Sequence, residues 1–139
     1  MPSFFSSEAK FKEWMEKNPG FSLSLGLIKK LVYSIVYGDL LMLLANQTRP
    51  YELSKGASDR MIDHWVNLLS EEYKKSKNVT YRRVKENLPR ILADFASIPV
   101  KRTDKIKVGI VGEIYVKYAP LGNNNLEQFL HGEDVEVRI

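Results

Sequence analysis

The chain has 139 residues, with 21 Lys and Arg against 17 Asp and Glu, and a formal net charge of +4. A hydrophobic fraction of 44% and a charged fraction of 27% are those of a folded soluble domain. The absence of cysteine excludes disulfides, thiolate zinc sites, cysteine-ligated iron–sulfur clusters and cysteine nucleophiles within these residues. His64 and His131 are the only imidazoles, too few for a multi-histidine metal site.

Met1 to Ser7 lacks a basic stretch followed by an apolar core, so no signal peptide is expected. The most apolar run, Leu31 to Ala45, is shorter than the roughly 20 residues that span a bilayer, and Asp39 lies inside it. A buried helix, a cytoplasmic setting and no membrane partner are the expectations.

Up to about residue 100 the apolar residues recur at three- and four-residue steps, which predicts helices. Ser6 or Ser7 caps a first helix with Phe11, Trp14 and Met15 on its apolar side, ended by Asn18-Pro19-Gly20. Ser22 or Ser24 starts a long second helix reaching about Gln47, and Arg49-Pro50 stops it. A third runs from Ser58, as N-cap, to Lys75, with Met61, Ile62, Trp65, Leu68 and Leu69 as its buried stripe. A fourth follows Thr80 with Val84, Leu88, Ile91, Leu92 and Phe95 inward, and Pro89 predicts a kink or a break in it.

The pattern then changes. Residues 107–112, Lys-Val-Gly-Ile-Val-Gly, read as a buried strand, followed by a loop from Glu113 to Gly122. Asn124-x-x-Glu127 reads as a capping box opening a helix through Phe129 and Leu130. Gly132 fits the left-handed position after it, and Val135 and Val137 start a second strand. Strand, helix, strand is a βαβ unit with parallel strands. The expected class is therefore α/β, mainly helical: a helical subdomain over 1–100, then an opening, truncated βαβ over 101–139. Two parallel strands cannot cover both faces or protect both edges. The chain thus reads as a fragment whose partner is the remainder of a parent polypeptide, or as one copy of a homo-oligomer that completes the sheet.

Charge is uneven: 18 basic and 12 acidic residues precede Ile106, while 3 basic and 5 acidic follow from there. Eleven bases against four acids lie between Glu72 and Lys107. Such a stretch either neutralises phosphates, with Tyr73 and Tyr81 stacking on bases, or forms a solvated face and connector. No nucleic-acid-binding motif accompanies it, so nucleic acid is not the expected partner.

Asp39 falls within about 40° of Ile28, Val32, Ile35 and Leu43 on a helical wheel, in the middle of an apolar stripe. A buried carboxylate there is either a proton donor with a raised pKa or a structural group that caps a neighbouring helix or binds Arg49 or a tyrosine. Arg49 and Glu52 flank Pro50 and can tie down the turn by charged hydrogen bonds. Glu113 follows Gly112 at the carboxyl end of the strand, where parallel sheets bind ligands. The following loop delivers Tyr115, Lys117 and Tyr118, and Asn123, Asn124 and Asn125 either offer an anion site at a helix start or simply cap it. Gly109-x-x-Gly112 is not a dinucleotide fingerprint. His64 and His131 read as surface or capping residues.

The segment 107–130, KVGIVGEIYVKYAPLGNNNLEQFL, together with Tyr37-Gly-Asp-Leu-Leu41 and Arg49-Pro-Tyr-Glu52, resembles the 2-hydroxyacyl-CoA dehydratase D-component-like family, especially its CoA-substrate-specific enzyme activases. The resemblance spans about residues 30 to 139. It implies a flavodoxin-like layer and an ATP-driven, iron–sulfur electron-transfer system acting on an acyl-CoA. An ATPase activator module is the partner implied. Family members hold a cluster through cysteines, and this chain has none, nor a phosphate-binding ATPase loop. The resemblance therefore places cluster and ATP in the parent system, with no cofactor in this chain. It puts Glu113, Tyr115 and Asn123 to Asn125 at the mouth of a cluster or substrate cleft. The alternative is an interaction module that docks an ATPase or a second subunit.

Overall fold

The computed structural model describes Lys17, residues 24–76 and residues 79–139. The first helix expected, with Phe11, Trp14 and Met15, lies outside the described residues. Helix α1 spans Leu25–Thr48, and the Ser24 hydroxyl caps it by accepting from Leu27 N at 3.2 Å. A 3-10 turn at Arg49–Tyr51 places Pro50 where its missing N–H is harmless.

Helix α2 spans Ala57–Lys75. Ser58 is not its N-cap. Gly56, at φ 81, takes that position, and the Glu52 carboxylate accepts from Gly56 N and from Ser58 N (2.8 Å). Glu52 thus does the work expected of a serine, four to six residues ahead of the amides it holds, and the Ser58 hydroxyl is left buried without a partner. Helix α3 spans Tyr81–Ala96, capped by the Thr80 hydroxyl, and Pro89 does not divide it.

The three helices pack around Tyr37, Leu41 and Ala45 of α1, Trp65 and Leu69 of α2, and Val84, Ile91 and Phe95 of α3. Trp65 and Ile91 are wholly buried, each contributing roughly 2–3 kcal/mol of transfer free energy. Trp65 Nε1 donates to Asp94 at 3.0 Å, so its polar end is satisfied. Asn87, also wholly buried, donates to the Tyr37 hydroxyl at 3.1 Å and to Glu72 at 3.2 Å, and so ties all three helices together. Leu92, expected inward, is about half exposed.

After α3 the chain runs back beside the 3-10 turn. Leu53 N donates to Pro99 O (3.0 Å) and Lys101 N to Tyr51 O (2.8 Å), which brings the connector alongside the corner after α1. Strand β1, Lys107–Gly109, pairs in parallel with β2, Glu136–Arg138, in the register Lys107 to Glu136, Val108 to Val137, Gly109 to Arg138. Between the strands lie three short helices: α4 Ile114–Tyr118, α5 Pro120–Asn123 and α6 Leu126–Gly132. The α/β expectation thus stands as a mainly helical chain with a two-stranded parallel sheet. The expected loop from Glu113 to Gly122 is instead two helical segments. The capping box does not form, because Asn125 precedes α6 with no side-chain cap and Glu127 faces elsewhere. Gly132 ends α6 without a positive φ. Asn124, Asn125 and Asp134 take the left-handed conformations, which short polar side chains tolerate.

Asp39 corrects an expectation. The stripe it belongs to faces outward: Leu25 is 70% exposed, Ile35 64% and Val32 51%, and Asp39 is exposed with them. The packed side of α1 is the opposite one, carrying Tyr33, Tyr37, Leu41 and Ala45. A helix apolar on two sides does not reveal by periodicity which side is covered.

Candidate functional site

The polar residues converge where the end of α1 meets α6. Asn46 is buried on the last turns of α1, and Arg49 lies three residues on, so their side chains meet: Arg49 Nη1 donates to Asn46 Oδ1 at 3.0 Å. The same nitrogen lies 2.7 Å from His131 Nε2. The other edge of the guanidinium, Nε and Nη2, holds Asp59 of α2 at 3.2 and 2.6 Å. Asn46 in turn donates from Nδ2 to Glu127 Oε1 at 3.3 Å. Glu127 and His131 stand four residues apart on α6, with His131 Nε2 at 3.5 Å from Glu127 Oε1.

His131 Nε2 thus sits between a donor and a carboxylate. As a neutral imidazole it accepts from Arg49, and its proton must then be on Nδ1, which is buried without a partner. As an imidazolium it donates to Glu127 instead. That interaction, with the Asn46 amide and the Arg49 charge, holds the Glu127 carboxyl below the usual carboxylate range against its desolvation. Each guanidinium nitrogen of Arg49 is engaged within the chain, so the group locks α1, α2 and α6 together.

A cleft of about 240 Å³ opens beside this cluster, lined by Arg49, Tyr118, Pro120, Asn123, Asn125, Glu127, Gln128 and His131. A larger depression of about 890 Å³ lies across Arg49 from it, with Glu52, Asp59, Gln128 and His131 in its wall. Of the residues singled out in the sequence, Arg49, Tyr118, Asn123, Asn125 and His131 line the first cleft, and Glu52 lines the second. Asn123 is spent on structure: it donates to Val116 O (2.9 Å) and Lys117 O (3.2 Å) and accepts from Leu126 N (3.3 Å). Glu113 caps α4 by accepting from Tyr115 N at 3.1 Å and is exposed. Tyr115 lies on the surface against Gly122, where an added Cβ would meet its ring at 2.8 Å. Asn124 ends α5 in a left-handed turn. Glu113, Tyr115 and Asn124 therefore do not join the cleft.

Sequence reasoning missed Asn46, Asp59, Glu127 and His131 as a group. Only the four-residue spacing of Glu127 and His131 signalled that the two share a helix face.

A second polar joint holds the sheet. Glu136 is buried, accepts from the Tyr51 hydroxyl at 2.7 Å, and is held by Arg138 at 3.0 Å. The tyrosine's hydrogen bond, with Arg138's, keeps the Glu136 carboxyl below the usual range, and the same bond raises the Tyr51 hydroxyl. Arg102 and Lys105 stack over the Tyr51 ring, with centroid distances of 5.1 and 5.9 Å. A polar cavity of about 520 Å³ lies here, lined by Gln47, Tyr51, Arg102, Thr103, Asp104, Lys107, Glu136 and Arg138. Several other members of the basic stretch are engaged as well: Arg83 with Glu72 at 2.7 Å and with Glu86, Arg90 over Trp65, and Lys105 with Asp134.

No group of three or more His, Asp or Glu is placed to hold a metal ion, and no helix is long and apolar enough to cross a membrane, among the described residues. Compared with protein-family models, with curated proteins and with solved structures, the chain gives no match.

Proposed function

We propose that this chain is a non-catalytic piece of a larger protein related to ATP-dependent acyl-CoA dehydratases and their activases, forming one wall of that protein's ligand cleft. The observation that carries the reading is the fold of the segment 107–130. It leaves β1 at its carboxyl end and winds through α4 to α6, and the chain then returns in parallel as β2, in a sheet that has two strands and unpaired outer edges among the described residues. A two-stranded sheet is marginal alone and gains stability from further strands or covering helices. Around it Val111, Ile114, Leu121 and Phe129 are bare, from 61% to 92% exposed. Apolar side chains so arranged support a flavodoxin-like layer continued by more polypeptide.

An iron–sulfur cluster does not fit the residues present. The chain has no thiolate, and its described carboxylates and imidazoles do not converge as a metal-binding group. On this reading the cluster ligands and the ATPase belong to polypeptide other than residues 1–139, and no step is assigned to this chain. Its own residues shape and brace: Arg49, Glu127 and His131 fix the cleft wall to the helical part, and Tyr51 and Glu136 fix the sheet. The intact mass of the native gene product tests the reading. A product longer than 139 residues is expected, and one no longer than this chain would overturn it.

A further inference from the structure

The outward side of α1 carries Leu25, Ile28, Val32, Ile35, Asp39 and Met42, at successive steps of three, four, three, four and three. That is the spacing of a coiled-coil seam, in which each alternate residue returns to the same side of the helix. The first five are exposed and Met42 is half-buried. Over 18 residues the seam is about 27 Å long.

We infer that this face pairs with the same face of a second copy of the chain, antiparallel, with Asp39 of each copy meeting Lys29 of the other. The charges select the arrangement. A parallel pair would set Asp39 against Asp39, two like charges in one layer. An antiparallel pair with the seam in register sets Leu25 opposite Met42, Ile28 opposite Asp39 and Val32 opposite Ile35, related by a two-fold axis between Val32 and Ile35. Lys29 follows Ile28 directly, so it flanks the layer that holds the other copy's Asp39. Lys29 and Asp39 are both exposed, and neither forms an ion pair within its own copy among the described residues. A single polar residue in an apolar seam fixes register and partner at some loss of stability. A helix pair of this length lies at the low end of interface sizes, so the dimer is reversible rather than obligate. The inference concerns α1 alone and stands whether or not the reading of the parent protein holds.

The test is sedimentation equilibrium of the 139-residue chain from about 1 µM to about 1 mM, with charge reversals on either side of the seam. The chain is expected to dimerise with rising concentration. Asp39→Lys alone, or Lys29→Glu alone, makes both symmetry-related pairs repulsive and weakens the dimer about tenfold. An equimolar mixture of the two variants restores both pairs between unlike chains, and the double variant restores them within one, so both regain the original affinity. Both residues are on the surface, and unchanged helical circular dichroism establishes that each variant is folded. A chain monomeric at every concentration overturns the inference. A dimer indifferent to the reversals, or one not rescued by mixing, overturns it too.

Discussion

Replacing Arg49 by Met keeps an aliphatic stem of similar reach and removes the guanidinium that joins α1, α2 and α6. The Asp59 pair is about half exposed on the carboxylate side, and its loss costs under about 1 kcal/mol. The contact with Asn46 matters more, because Asn46 is buried and its Oδ1 would lose its partner. An orphaned buried acceptor costs about 1–3 kcal/mol, and the hydrogen bond to His131 adds about 1 kcal/mol. The expected loss is therefore about 3 kcal/mol, or about 10 °C in melting temperature for a chain of this size. Urea unfolding followed by tryptophan fluorescence reads it, since Trp65 is wholly buried. Amide exchange should rise first in α6 and β2 and least in the Trp65 core. Asp59→Asn, by contrast, should cost under about 1 kcal/mol. A loss below about 0.5 kcal/mol for Arg49→Met, within the range of ordinary surface changes, would refute the view that this cluster fastens α6 to the helical part.

Other outcomes follow from the same contacts. Ile91→Ala opens a cavity beside Trp65 in a fully buried position and should cost about 3 kcal/mol by chemical denaturation. Gly56→Ala should destabilise by about 1 kcal/mol, because Gly56 has φ +81 and an added Cβ would lie 3.2 Å from Arg60 Nη1. Glu127 and Glu136 both have carboxyls held below their usual pKa in the folded chain. Their contribution is therefore complete above the ordinary carboxylate pKa and is lost as pH falls through the depressed folded values. Stability measured against pH should drop on the acid side, and Glu127→Gln should flatten that drop while lowering stability near neutrality. Tyr51→Phe takes the hydrogen bond from buried Glu136, lets that carboxyl's pKa rise toward the ordinary value, and should therefore shrink the acid-side drop while lowering stability near neutrality. An acid-side drop as large as that of the parent chain would contradict the role given to that bond.

The parts of this structure legible in the sequence are those that local chemistry decides. Ser24 caps α1 because a hydroxyl at that place satisfies an otherwise unpaired amide. Pro50 ends the helix because it cannot continue it, and Val108 pairs in parallel with Val137 as a βαβ order requires, although the strand is only Lys107–Gly109 and not the buried run expected over 107–112. What was hidden depends on partners far away in the chain. Asn46 and Glu127 are 81 residues apart and Arg49 and His131 are 82 apart, so no periodicity links them. Glu52 supersedes Ser58 as the cap of α2 because a carboxylate can reach two amides from outside the helix. Which side of α1 is buried is not legible in its periodicity, because its two apolar sides differ only in what covers them. At the candidate site the sequence offers Arg49 as a structural corner and, through the resemblance, Glu113, Tyr115 and Asn123 to Asn125 as one mouth; Asn123 and Asn125 lie beside Arg49 in the cleft, while Glu113, Tyr115 and Asn124 lie on or at the ends of α4 and α5 outside it.

The proposed reading puts the iron–sulfur and ATP chemistry of a larger protein outside these residues and one wall of its cleft within them. Iron and acid-labile sulfide, measured on the natively purified gene product and on the 139-residue chain after identical anaerobic reconstitution, test this most directly. Cluster-bound iron is expected in the native product, and none retained by the chain. A native product free of iron, or a chain that itself assembles a cluster, would contradict it.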